Sequence, residues 1–204
     1  MMRIVSIFNR LLNFEEWVSG SIGLYYLRAM GVICGRKVRL VGWPSVWKTK
    51  GSVIRVGHEC VFRSRSRHNA IGINHRIILR TQSSEAQIII GDGVGISGGA
   101  ICAKKRVSIG KGSIIGSNVV IGDNDFHPIK PKDRRFNRDA EDIPAKEITI
   151  GENVWIGADC YVLKGVTIGD NSVIGAMSVV TKSVPPNCVA AGNPAKVLRT
   201  IEAE

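Results

Sequence analysis

The sequence predicts an all-β fold: a parallel β-helix of hexapeptide repeats, with a short N-terminal helical segment and one protruding loop. Three observations carry that expectation. From Ile150, six consecutive hexads (IGENVW, IGADCY, VLKGVT, IGDNSV, IGAMSV, VTKSVP) each open on Ile or Val. Their fifth positions, Val154, Cys160, Val166, Ser172, Ser178 and Val184, are all small or β-branched. The ladder then breaks between Ile121 and Ile150, over a stretch rich in charge and proline.

A period of six cannot come from a helix, because an apolar residue every six positions wanders around a 3.6-residue turn. Short strands joined by tight turns do produce it. The branched residue points inward from a strand, the small one fits a corner, and Gly at the second position (151, 157, 169, 175) tolerates backbone angles that a Cβ resists. Three strands per coil make a triangular prism of about 18 residues per turn. The same ladder reads upstream as IGDGVG from Ile90, ISGGAI from Ile96, IGKGSI from Ile109 and IGSNVV from Ile115. Between Cys102 and Val107, AKKR shifts the register by one residue. Before residue 90 the pattern is degraded: VGHECV from Val56 fits, whereas RSRSRHNA (63–70) does not, so early coils that are irregular or carry excursions are expected.

The hexads, with the closing run VTKSVPPNCVAAGNPAKVLR (180–199), resemble those of the left-handed β-helix acyltransferases. The likeness is to the galactoside, maltose and nodulation-factor O-acetyltransferases and to polysaccharide (O-antigen, colanic-acid type) O-acetyltransferases. It covers residues 90–200 well and 50–90 weakly. The resemblance alone implies the left hand, since the general rule for parallel crossovers favours the other. It also implies acetyl-CoA as co-substrate, a sugar or glycan acceptor, and a homotrimer with active sites between subunits.

Ile121 opens one more hexad, whose fifth position is Asp125, a residue a packed corner cannot bury cheaply. From 121 to 150 is 29 residues; subtracting the one expected hexad of 6 leaves an excursion of 23. It reads as a loop over 123–147, and long loops in compact folds are often functional. His127 lies where the chain leaves the prism. An imidazole can take a hydroxyl proton near neutral pH and return it to a departing thiolate. By resemblance His127 is the general base, since the family's catalytic histidine sits in this loop, commonly followed by Pro as in His127–Pro128. Asp123 and Asp125 either orient the imidazole or are ordinary turn residues. Ser97, in ISGG, lies near where related enzymes place a polar group stabilising the transition state. The asparagine of the galactoside enzymes is missing there, so the oxyanion donor is Ser97, a backbone amide or another group.

The resemblance also assigns the donor site. Ala158 and Ala176 line the pantetheine path, Thr181 and Lys182 meet the adenine-nucleotide end, and Lys196 and Arg199 reach the phosphates. Lys196 stands where the galactoside enzyme has Arg, keeping the charge without the bidentate fork. The same segment also reads as a cap on the last coil. Trp155, at a sixth position, is expected on the exterior, against a neighbouring subunit. Cys160, at a corner position, is expected to be a buried structural thiol.

Charge is unevenly placed: residues 1–80 hold 14 Lys/Arg and 3 Asp/Glu, residues 81–204 hold 14 of each, so the whole +11 sits in the first part. Such a field suits an anionic partner or a solvated basic face. Aromatic residues do not interleave with the basic ones, which argues against nucleic acid. Five cysteines without a CxxC pair fit free thiols in a reducing cytoplasm. The uncharged stretch Trp17–Leu27 is well short of the roughly 20 residues of a spanning helix. Residues 1–35 are expected to form a helical cap over the prism, or a surface helix on an anionic membrane at the inner face of the cytoplasmic membrane; 36–200 form the β-helix domain. His58, His68 and His75 lie in the irregular region at spacings that support no metal site, so none is expected. The reading is an acetyl-CoA-dependent O-acetyltransferase acting on a sugar hydroxyl. The alternatives are an N-acetyltransferase on an amino sugar and a non-catalytic scaffold.

Overall fold

A computed structural model describes residue 20 and residues 22–131, 134–135 and 142–202. Eighteen of its strands run as six coils of three. The first coil is β1 (Ile33–Cys34), β2 (Arg39–Val41) and β3 (Ser45–Trp47); the second is β4 (Val53–Val56), β5 (Val61–Arg63) and β6 (Ile78–Thr81). The third is β7 (Gln87–Ile90), β8 (Gly95–Ser97) and β9 (Ala100–Ala103); the fourth is β10 (Arg106–Ile109), β11 (Ile114–Ser117) and β12 (Val120–Gly122). After the excursion come β13 (Ile148–Ile150), β14 (Trp155–Ile156) and β15 (Tyr161–Leu163), then β16 (Thr167–Ile168), β17 (Val173–Ile174) and β18 (Val179–Val180). A closing antiparallel hairpin, β19 (Cys188–Gly192) and β20 (Ala195–Thr200), extends the second sheet.

The first, second and third strands of successive coils pair in parallel, building sheets A, B and C of the prism. Ile150, Ile156, Val162, Ile168, Ile174 and Val180 point inward and are at most 1% exposed, so the hexad's opening residue is the core residue. Each such side chain contributes about 1.5–3 kcal/mol on leaving water. The fifth-position residues are buried as well, Cys160 at 0%. The serines among them are satisfied across coils: Ser172 Oγ donates to Pro185 O and accepts from Cys188 N.

The glycine reading needs correction. The second-position glycines are not the left-handed ones; the fourth positions are, with Asn153, Asp159, Asn171 and Met177 at φ 53–59°. Short polar side chains tolerate that region best. Glycine at the second position serves stacking instead: a Cβ on Gly157 would lie 2.6 Å from Ala176 N in the next coil.

Of the two expectations for the early coils, the structure shows the excursion and not irregular strands. β1 to β6 pair in register with the coils that follow. The irregularity is confined to an excursion between β5 and β6, which contains RSR of the basic run and a 3-10 turn at Ser66–His68. Valine, leucine, phenylalanine and isoleucine fill the inward positions there, so sheet pairing tolerates the loss of the Ile-Gly pattern. Residues 22–29 are helical, Leu27 is fully buried in the core cluster, and Tyr26 stacks on Trp43 at 5.8 Å. Of the segment expected over 1–35, residues 1–19 and 21 lie outside the described residues.

Candidate functional site

The excursion leaves the prism after β12, at the edge between sheets C and A, and its root is closely tied. Asn124 pairs with Ala145, Asp125 N donates to Pro144 O at 3.2 Å, and Lys146 N donates to Asp123 O at 2.8 Å. Both ends of the loop are thereby zipped together before the chain re-enters at β13.

Asp123 and Asp125, which the sequence left equivalent, sit in different surroundings. Asp123 is fully buried; Oδ1 accepts from Lys104 N at 2.7 Å and Oδ2 from Lys105 N at 2.6 Å, with Asn124 Nδ2 at 3.0 Å. It holds the turn between β9 and β10, with both oxygens engaged by backbone amides. Asp125 Oδ1 accepts from Lys164 Nζ, each side chain being 26% exposed, and Oδ2 is buried without a hydrogen-bond partner.

The turn carrying the histidine is strained and held from several sides. Phe126 takes φ 61°, a conformation that costs a non-glycine residue about 1–2 kcal/mol. Its N–H donates to Asn124 Oδ1 at 2.9 Å, and its ring lies where a Cβ on Gly122 would touch it at 3.5 Å. His127 N donates to Asp125 O at 2.7 Å. Downstream, Arg134 donates to the carbonyls of Pro128 and Ile129. His127 is thus solvent-exposed but presented on a fixed turn, with Pro128 buried behind it. At the foot of the loop a cleft of about 390 Å³ is lined by Ser83, Glu85, Gln87, Lys104, Lys105, Arg106 and Glu147.

The remaining candidates fall on two edges of the prism. On the B/C edge, turns stack coil on coil: Asn118 N donates to Ser97 O, Asp159 N to Ser117 O, and Met177 N to Ala158 O. Ser97, Ala158 and Ala176 therefore lie in one line. Lys196 joins it, pairing with Ala191, whose Cβ a side chain on Gly175 would meet at 2.8 Å. Arg199, opposite Val189, shares that strand. Thr181 and Lys182 follow β18, on the C/A edge with His127 and Lys164. Within one chain, sheet C separates Ser97 and the alanines from His127. Three to four residues of strand at about 3.3 Å each make that span roughly 10–13 Å. Trp155 is 55% exposed on sheet B, as a sixth-position residue should be.

Sequence reasoning missed Lys164 and the burial of Asp123. Lys164 occupies the third position of VLKGVT, an ordinary turn slot, and only the stacking of coils sets it against Asp125. Among the described residues no group of three or more His, Cys, Asp or Glu is placed to hold a metal ion, and no helix is long and apolar enough to cross a membrane.

Residues 147–182 match the family Bacterial transferase hexapeptide (six repeats). The polysialic acid O-acetyltransferase of Escherichia coli O1:K1 is 44% identical over 126 residues, 60% of this chain and 38% of that protein. The galactoside O-acetyltransferase of Escherichia coli K12 is 50% identical over 95 residues, 47% of this chain and 44% of that one. The chain thus spans about two fifths of the length of these relatives. Among solved structures, a hexapeptide-repeat acetyltransferase from Vibrio cholerae in complex with acetyl coenzyme A superposes with a TM-score of 0.56 at 27% identity, covering 76% of this chain and 73% of that one. The polySia specific acetyltransferase NeuO gives 0.53 at 29% identity, covering 85% and 84%.

Proposed function

We propose that this chain, whose repeats are those of the bacterial transferase hexapeptide family, is an acetyl-CoA-dependent O-acetyltransferase acting on a sugar hydroxyl within a polysaccharide or glycolipid precursor. The prism is left-handed in this reading. The observation that carries it is the presentation of His127. A strained, multiply held turn exposes one imidazole at the edge of a hexapeptide prism like those of acetyl-CoA-bound relatives.

His127 removes the proton of the acceptor hydroxyl as its oxygen attacks the thioester carbonyl. The tetrahedral intermediate collapses with cleavage of the C–S bond, and the imidazolium returns the proton to the sulfur. The products are the sugar acetate and free coenzyme A. Asp125 orients the imidazole, and Ser97 donates to the oxyanion. Pantetheine runs past Ala158 and Ala176, Lys196 and Arg199 meet phosphate, and Thr181 and Lys182 meet the adenine-nucleotide end. Because these groups occupy two edges of one prism, the complete site takes the B/C edge of one subunit and the C/A edge of the next, in a homotrimer.

The test is thiol release from acetyl-CoA with a panel of galactosides, maltosides and oligosialic acids. His127→Ala is expected to bind acetyl-CoA calorimetrically as the parent does and to lose turnover by about 10²–10⁴-fold. Turnover at the parent rate rules His127 out as the base. Failure of the folded parent to bind acetyl-CoA favours a scaffold.

A further inference from the structure

We infer that Lys164 is a positioning residue for His127, acting through Asp125; the assignment rests on reading His127 as the base. Sheet C sets the geometry, since Gly122 and Leu163 are in register on adjacent strands. The residue after Leu163 therefore stacks against the point where the chain leaves the prism. Lys164 Nζ reaches Asp125 Oδ1 there across 39 residues of sequence.

Asp125 in turn is joined to the histidine through the backbone. Its carbonyl accepts His127 N at 2.7 Å, so the His127 backbone follows Asp125. Its Oδ2 is the one buried side-chain N or O atom among the described residues without a hydrogen-bond partner. A carboxylate oxygen two residues before an exposed imidazole is an acceptor awaiting a donor, and the ring N–H of His127 is the donor this assignment gives it. A carboxylate at the root of the loop is held in one rotamer only while its cation is there. The Lys164 ammonium fixes its position.

The pair also sets the field at the imidazole. The charged groups around Asp125 come from several elements: Lys164 from the turn after β15, Asp123 and Lys146 from the loop's root, and Lys104 from the turn after β9, which donates to Ile143 O. Lys182 lies one coil further along the same edge. The Lys104 ammonium is held by Ile143 O on the loop's returning limb, and both Asp123 carboxylate oxygens are taken up by backbone amides. Lys164 is the cation whose removal exposes the Asp125 charge to its neighbours.

The experiment compares Lys164→Met, Lys164→Arg and Asp125→Asn in the full chain. Each is first checked for parental melting temperature and acetyl-CoA affinity. The ring resonance of His127, assigned by its loss in His127→Gln, is expected to shift in Lys164→Met and Asp125→Asn and to return in Lys164→Arg. In turnover, Lys164→Met is expected to lower kcat about tenfold, with little change in KM for acetyl-CoA, and Lys164→Arg to restore it. The acid limb of kcat/KM is expected to move up in Lys164→Met, where the Asp125 anion is left uncompensated. It moves down in Asp125→Asn, where the cation is left alone. An unmoved ring resonance in Lys164→Met overturns the proposal whether or not His127 is the base. A moved resonance alongside full turnover in His127→Ala sinks the base instead. Acid limbs moving in the same direction in the two variants reduce Lys164 to a structural strut and also overturn it.

Discussion

Removing the Asp123 carboxylate separates a structural aspartate from a catalytic one. In Asp123→Ala, the backbone N–H groups of Lys104 and Lys105 lose charge-assisted acceptors at 2.7 and 2.6 Å, and Asn124 Nδ2 loses a third contact. At about 1.5–3 kcal/mol for each hydrogen bond to a charged group, the two backbone bonds amount to about 3–6 kcal/mol. Water entering the emptied site recovers part of that, so about 3 kcal/mol is expected. In a domain of this size each kcal/mol moves Tm by about 2–4 °C, giving a fall of about 6–12 °C. Asp123→Asn keeps the shape and one acceptor oxygen, so its fall is smaller, about 3–6 °C on the same scale. Calorimetry gives the melting temperatures. Because stacked coils can open locally, amide exchange at Lys104 and Lys105 is the sharper measurement, and both are expected to lose protection. Both variants should bind acetyl-CoA below their melting range. If Asp123→Ala melts like the parent while kcat collapses, Asp123 acts on the chemistry and its assignment as the anchor of the loop is wrong.

Burial pushes the thiols of Cys60, Cys102 and Cys160 above their ordinary value. A thiol raised in the fold contributes stability that is complete below its unfolded value, about 8.5, and is lost as pH rises through the folded value. Tm is therefore expected to fall above about pH 8.5, and less steeply in Cys160→Ala; parallel slopes in parent and variant refute that source. For the same reason these thiols should resist a disulfide reagent in the native state, with Cys34 labelled first. Ala176→Tyr adds bulk at an exposed turn of the B/C edge and should raise KM for acetyl-CoA about tenfold without changing Tm. An unchanged KM removes that edge from the donor path.

The divergences between reading and structure follow a physical line. A residue facing the prism axis has an environment set by its own hexad, so Ile150, Val162 and Cys160 were legible as core one by one. A residue on an edge has neighbours supplied by the coils above and below, about 18 residues away or, across the excursion, about 40. Asp123 and Asp125 look equivalent in DNDFHP, yet one is enclosed by the β9–β10 turn and the other meets Lys164. The early coils show the converse: degraded hexads still stack, because sheet pairing is made by the backbone and asks only for apolar side chains inward.

The sequence by itself determined the repeat, the inward residues, the position of the interruption and the histidine within it, because a period-six pattern and its break are one-dimensional facts. Only the tertiary structure decided which aspartate anchors the loop, which lysine meets the other, and that the remaining candidates divide between two edges of the prism. Those relations are contacts between coils, set by strand register, and no single hexad encodes its neighbour.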